Sequence, residues 1–161
     1  MTPEDPVKKP DLQGRPEIVK LVNTFYDRVR ADAVLGHIFD QVAQTNWETH
    51  LPKMYAFWET VMFRSGGFTG NPLAAHAKLV ALTDMGRDKF DHWLKLFCGT
   101  VDDLFVGEHA DHIKNCAADM ANVIFSRINQ VPDPRFDPAN LTPEQRERYA
   151  RYKSQPQPAT P

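Results

Sequence analysis

Cysteine is scarce in this sequence, and the motifs in which cysteine does chemistry are missing. The 161 residues contain only two cysteines, Cys98 and Cys116, which are too few for a disulfide framework. Each lies on an apolar helical stripe, where a buried and unreactive thiol is the usual state. No CxxC pair is present, so the sequence excludes a dithiol redox motif.

Long apolar runs, basic patches and the common hydrolase and nucleotide motifs are missing too. No segment approaches the roughly 18 consecutive apolar residues of a membrane helix, and residues 1–10 are polar and proline-rich, unlike a signal peptide. We therefore expect a cytoplasmic protein that does not enter a membrane. The net charge of -2, without a basic patch, gives no reason to expect nucleic acid as a partner. HExxH, P-loop and GxSxG motifs are absent, which leaves hydrolase and nucleotide-binding activities without support.

Helical periodicity is what the sequence does contain. A chain that is 42% hydrophobic and 25% charged suits one globular domain. Apolar residues recur at intervals of three and four, and no period-two run favours a strand, so the predicted fold class is all-α. The predicted helices cover residues 16–30, a segment that ends near Arg64, and residues 73–82, 87–105 and 108–129. A short turn around residues 34–39, with a stop at Gly36, follows the first helix.

Composition divides the chain into three parts. We expect a flexible N-terminal extension over residues 1–15 and a helical domain over residues 16–130. Seven of the 13 prolines follow residue 131, which predicts a proline-rich tail over residues 131–161. Within the tail, Thr142, Pro143 and Gln145 carry the signals of a helix start, which predicts a short helix near 143–153.

The start of the second long helix has two interpretations. Thr45 and Glu48 form a capping-box pattern with Thr45 as the N-cap. Pro52 would then lie beyond the first turn, where its ring clashes with a carbonyl of the preceding turn. The helix either begins near Thr49 or kinks at the proline. A late start would leave His50 in the first turn, where it could swing outward.

Among the six histidines, His76 has the surroundings most suited to a metal. It follows a loop with three glycines and has small or apolar neighbours, as an imidazole that binds a haem iron does. A half-exposed histidine on a surface helix is the plain alternative. His109 and His112 have helical i, i+3 spacing but no third ligand, so we expect a solvated helix start.

Three further residues are candidates only in combination with His76. His50 lies on an apolar stripe, where a hydrogen-bonded core histidine is the usual explanation. Tyr26 and Trp93 lie on inward faces, where core packing is the usual role. Each residue alone indicates little, and the functional hypothesis depends on their occurring together.

Together these residues fall into a pattern similar to the third group of bacterial truncated haemoglobins. The resemblance extends from Ile18 to Ile128. It is carried by FYDRVR at 25–30, LGHIF at 35–39, WETH at 47–50 followed by Phe57 and Trp58, PLAAH at 72–76 and HWLKLF at 92–97.

The resemblance implies a two-on-two helical sandwich around a b-type haem, iron protoporphyrin IX. The absence of CxxCH agrees with a non-covalent haem. By this resemblance His76 is the proximal iron ligand, Tyr26 and Trp93 donate hydrogen bonds to the bound gas, and His50 is the distal gate. Pro52 departs from the family pattern, as does the tail after Val131.

The same resemblance implies further haem contacts. Met54 matches an apolar residue over the ligand, Phe25 an aromatic wall, and Lys53 a position near a haem propionate. Three further residues of the matching segments complete the expected haem contacts: Phe57, Leu73 and Phe90.

The function that follows is a haem protein for oxygen, nitric oxide and carbon monoxide, with cyanide and peroxide as further ligands. Two donors to bound oxygen would make its release slow, which suits nitric oxide dioxygenase or peroxidase-like chemistry better than oxygen delivery. Such turnover needs electrons from a separate reductase. Two alternatives remain: a gas sensor or oxygen binder without turnover, and a haem-free helical module that binds a partner through its tail.

Overall fold

The computed structural model describes residues 8–65 and 67–130, together with Pro143. The predicted tail and its short helix therefore lie, apart from Pro143, outside the described residues. Every described element is helical, which confirms the all-α fold class. The elements are α1 (Arg15–Ala31), α2 (Leu35–His37), a π-helical turn (Ile38–Val42), α3 (Trp47–Phe63), α4 (Pro72–Val80), α5 (Arg87–Leu104) and α6 (Glu108–Asn129). None of these helices is long and apolar enough to cross a membrane.

Helix α1 shows why the periodicity predicts these elements well. Its inward residues recur every three or four positions and are almost completely buried: Ile18, Leu21, Val22, Phe25 and Val29. Pro16 lies in the first turn, where its missing N–H costs no hydrogen bond. An acidic residue near the start and two arginines in the last turn complement the helix dipole.

The helices form two packed layers. Helix α1 pairs with α3, and α5 pairs with α6. The layers meet where α1 lies on α5 and α3 touches α6, while α4 packs on α6. The main core lies between the layers and includes Phe25, Trp58 and Phe97. A second, smaller core of Met85 and Phe90 with residues of α6 lies beneath α4.

Gly36 is not the helix stop that the sequence indicates. It lies inside α2, which continues into the π-helical turn without a break. A Cβ atom at this position would lie 2.8 Å from the carbonyl oxygen of Arg30. The glycine therefore allows α2 to pack directly on the end of α1, a role that periodicity does not reveal.

Helix α3 begins at Trp47, so the late start near Thr49 is wrong, and the early start with Pro52 inside the helix is off by one residue at the cap. Asn46 is the N-cap, and its side chain accepts a hydrogen bond from the Glu48 N–H at 3.1 Å. Pro52 lies inside the helix, so the Glu48 carbonyl loses its usual partner four residues ahead. The backbone N–H of His50 still bonds to the Asn46 carbonyl at 2.8 Å, which places His50 at the end of the first turn.

The described part of the N-terminal segment packs on the helices, although the sequence predicts flexibility there. Leu12 is completely buried. The Asp11 carboxylate accepts hydrogen bonds from the N–H groups of His109 (3.0 Å) and Ala110 (2.8 Å) at the start of α6. Burial would raise the pKa of Asp11, but these bonds and one from the Leu12 N–H outweigh it and lower that pKa. His109 also bonds to the Leu12 carbonyl, so it is a structural residue.

Candidate functional site

A cavity of about 530 Å³ opens between the two layers, a volume within the usual range for small-molecule and cofactor sites. Its wall comes from α2 and the π-helical turn, the start of α3, α4, α5 and the middle of α6. Five of the residues predicted from the sequence line it: His50, Lys53, His76, Phe90 and Trp93. The second core forms its apolar floor, since Met85, Phe90 and Ile124 belong to both.

His76 is presented to the cavity by a short, well-capped helix. Asn71 caps α4 by accepting a hydrogen bond from the Ala74 N–H at 3.0 Å, and Pro72 occupies the first turn. One turn later, His76 Nδ1 lies 2.6 Å from the Pro72 carbonyl oxygen. A carbonyl only accepts, so Nδ1 carries a proton, and in the neutral ring Nε2 is the nitrogen with the lone pair. This is the state of an imidazole that binds a metal through Nε2.

His50 lines the cavity and carries a buried polar atom without a described partner. Its Nε2 is buried and has no hydrogen-bond partner among the described residues. Burial lowers the pKa of His50, and the nearby Lys53 and His76 lower it further, so the imidazole is neutral at pH 7. A buried polar atom without a partner is costly. The unpaired nitrogen therefore favours a polar partner that the described residues do not supply.

Tyr26 lies behind His50 and does not line the cavity. The two rings meet edge to face with their centroids 5.2 Å apart. Burial raises the pKa of Tyr26 well above its usual value, so the hydroxyl keeps its proton as a potential donor. Phe25 lies deeper, in the main core, 5.0 Å from Tyr26.

Trp93 and Phe90 come to the cavity from α5. The Trp93 ring stacks on Phe97 at 5.3 Å and meets the edge of Phe25 at 5.7 Å. No described residue accepts a hydrogen bond from its indole N–H, and the Tyr26 hydroxyl likewise has no described partner. Trp93 lines the cavity, so its indole N–H is available to a ligand there, whereas the Tyr26 hydroxyl lies behind His50.

Three other predicted contacts lie away from the cavity wall. Met54 and Phe57 lie further along α3, where the helix packs on the main core. Phe57 contacts Phe68 of the following loop, with 5.2 Å between ring centroids. Leu73 is half-buried in the first turn of α4 and does not line the cavity. The cavity reaches only the beginning of α3, so the later turns of that helix serve the core.

Sequence reasoning missed two of the three cations on the cavity wall. Lys78 and Lys89 line it with Lys53, and no aspartate or glutamate of the described ranges does. Lys89 is held near Asp88 (2.8 Å) and Asp84 (3.7 Å). Their positions in the sequence could have indicated both lysines, since Lys78 follows His76 by two residues and Lys89 precedes Trp93 by one helical turn. The cations make this wall suitable for an anionic group.

The donor set fits a haem better than a simple metal ion. In the described ranges, no three histidine, cysteine, aspartate or glutamate side chains cluster as metal ligands. A haem brings its own metal and four ring ligands, so one imidazole such as that of His76 suffices to hold it. A haem is a flat, largely apolar ring with two propionates. An apolar floor, one free imidazole nitrogen and three lysines match those features.

Comparison with known proteins gave two matches. No protein-family model matches the chain. The chain is 31% identical over 117 residues to the Group 3 truncated hemoglobin ctb of Campylobacter jejuni, a match that covers 71% of this chain and 87% of that protein. The crystal structure of the group III truncated hemoglobin from Campylobacter jejuni aligns with a TM-score of 0.67 and 28% identity, over 74% of this chain and 94% of that one.

Proposed function

We propose that this chain, which belongs to the group III truncated haemoglobins, binds haem b through His76. We further propose that it catalyses a reaction of the gases bound there instead of delivering oxygen. Membership confirms the resemblance carried by the sequence motifs and the truncated globin fold. The identity of the iron ligand, the haem contacts and the reaction are the proposed parts.

The observation that carries the proposal is the state of His76. Its Nδ1 is bonded to the Pro72 carbonyl at 2.6 Å, and the residue lies in the cavity wall. The bond leaves Nε2 as the only free ring nitrogen and restricts rotation of the ring. An imidazole oriented in this way loses little freedom when it binds iron, which favours tight retention of the cofactor.

The wall supplies the remaining haem contacts. When bound, a haem contributes an iron that binds diatomic gases and exchanges electrons. Lys53, Lys78 and Lys89 are the groups available to its propionates, and charge-assisted bonds to carboxylates are stronger than neutral ones. Phe90 and the neighbouring apolar floor would contact the ring.

The distal residues are suited to retaining a gas that becomes partly negative on binding. Trp93 has a free indole N–H in the cavity wall and can donate directly. Tyr26 keeps its hydroxyl proton but lies behind His50, so it would donate when the His50 ring moves aside. A hydrogen bond to a charged group contributes roughly 1.5–3 kcal/mol. Each donor would therefore slow release of oxygen by about 10- to 100-fold. A protein that releases oxygen this slowly is poorly suited to delivery and favours reaction with nitric oxide or peroxide.

The experiment that tests this function is turnover of nitric oxide. The haem-loaded protein, supplied with oxygen and an electron-donating reductase, should consume many equivalents of nitric oxide at a nitric oxide electrode. Binding of oxygen and carbon monoxide with no turnover would refute the proposed reaction and favour a gas sensor. A protein that binds no haem would refute the whole proposal and favour the haem-free module.

A further inference from the structure

Asp32 and His92 form a hydrogen-bonded pair beside the cavity that the proposed function does not use. His92 Nε2 donates to Asp32 Oδ2 at 2.6 Å. The Asp32 side chain is 19% exposed and that of His92 41%. The contact joins residues 60 positions apart in the chain, so it links separate elements of the fold.

The other oxygen of Asp32 holds the start of α2. Asp32 Oδ1 accepts hydrogen bonds from the N–H groups of Val34 and Leu35, each at 2.9 Å. Burial would raise the pKa of Asp32, but the bonds from Leu35, His92 and Val34 outweigh it and lower that pKa. The side chain is therefore a carboxylate near neutral pH, and each of its described partners donates a hydrogen bond to it.

This one carboxylate connects two parts of the cavity wall. Asp32 accepts a hydrogen bond from the N–H of Leu35, which lines the cavity. Its partner His92 is the neighbour in sequence of Trp93, which also lines the cavity. Among the described residues, no other side-chain hydrogen bond joins residues 32–46 to α5. The described ring contacts of Trp93 are apolar ones with Phe25 and Phe97. Arg28 also ties α1 to α5 through Thr100 and Asp103, but these lie about two turns beyond Trp93, so the bond of His92 is the polar contact next to the indole.

We propose that Asp32 and His92 are a positioning pair that fixes how far the Trp93 indole reaches into the cavity. The pair touches no ligand and acts through Trp93. This inference rests on the proposed function for its effect on gas binding, whereas the placement of Trp93 itself can be measured without haem.

The first test uses the haem-free protein. Labelling with 5-fluorotryptophan gives fluorine NMR signals for the three tryptophans, and Trp93→Phe assigns one of them by its loss. We expect His92→Leu to shift the Trp93 signal more than that of Trp58, which the Phe97 ring separates from Trp93. His92→Gln, which keeps a donor for Asp32, should restore much of the original shift. His37→Leu is the matched control, because His37 is exposed on α2.

The second test uses the haem-loaded protein with carbon monoxide as the probe. His92→Leu should speed carbon monoxide dissociation by roughly threefold to tenfold, within the coupling range of contacting residues. It should also move the carbon monoxide stretching frequency, which reports donors near the gas. In a Trp93→Phe background both effects should disappear. An effect of the same size in that background, or an unmoved Trp93 fluorine signal, would overturn the proposal. Failure of the wild-type protein to bind haem would instead refute the proposed function.

Discussion

Two imidazoles face the same cavity in opposite hydrogen-bonding states. His76 has one ring nitrogen bonded to its own helix and the other free. His50 has a buried nitrogen without any described partner and a lowered pKa. The first arrangement suits a metal ligand and the second suits a side chain that meets a polar ligand. The two roles follow from environment, because the residue type is the same.

Replacing His76 tests the proposed iron ligand directly. His76→Ala should lose most of its haem during purification and lower the melting temperature, since haem bound only to the folded state stabilises that state. The haem-to-protein absorbance ratio and thermal unfolding measure the two effects. His37→Ala, an exposed histidine, should change neither. Full haem content with an unchanged spectrum in His76→Ala would show that another group binds the iron.

Replacing the two donors tests the proposed retention of gas. Tyr26→Phe and Trp93→Phe should each speed oxygen dissociation by about 10- to 100-fold, because each removes one charge-assisted hydrogen bond. Stopped-flow mixing of the oxygen complex with carbon monoxide measures the rate. Trp58→Phe is the control, since Trp58 is 3% exposed and lies in the main core away from the cavity. Rates equal to wild type in both donor variants would contradict slow release by hydrogen bonding.

Among the elements, the sequence predicts the helices more accurately than the caps and loops that connect them. The long apolar stripes of α1, α5 and α6 specify the helices because burial repeats every turn. The predicted cap of α3 was wrong, because Thr45 and Asn46 are both good N-cap residues and local pattern cannot choose between them. Lys78 and Lys89 were missed for a related reason: only the packing of α4 and α5 around the cavity brings them near Lys53.

The cap of α3 can be tested with adjacent variants. Asn46→Ala should lower the free energy of unfolding by about 1 kcal/mol, the usual cost of losing an N-cap hydrogen bond. Thr45→Ala should change it by a few tenths of a kcal/mol at most. Chemical denaturation of the haem-free protein separates the two. A larger loss in Thr45→Ala than in Asn46→Ala would mean that the capping box forms after all.

Gly36 and Gly99 form a second matched pair. Gly36→Ala should destabilise the fold by about 1–3 kcal/mol, because the new methyl group would press on the Arg30 carbonyl. Gly99 lies within α5, and no atom of a neighbouring element lies within 4 Å of the place that a methyl group would take there. Gly99→Ala should therefore stabilise the fold by about 0.4–1 kcal/mol. Chemical denaturation measures both changes, and equal effects in the two variants would contradict close packing of α2 on α1.

At the scale of the whole molecule, the two layers and the cavity between them are the feature that local pattern could not supply. Periodicity predicts which faces are apolar, and the family resemblance predicts that His50, His76 and Trp93 converge. The resemblance also places Met54, Phe57 and Leu73 on the haem, whereas the cavity does not reach them. Whether these three side chains reach the cavity depends on how the helices are arranged in the assembled layers, which local pattern does not show.

The most direct test of the account is the absorption spectrum of the purified chain before and after titration with haemin. A globin that holds haem through His76 should show a Soret band that saturates at one haem per chain, with spectral changes on adding carbon monoxide to the reduced protein. A chain that stays colourless and binds no added haemin would contradict it.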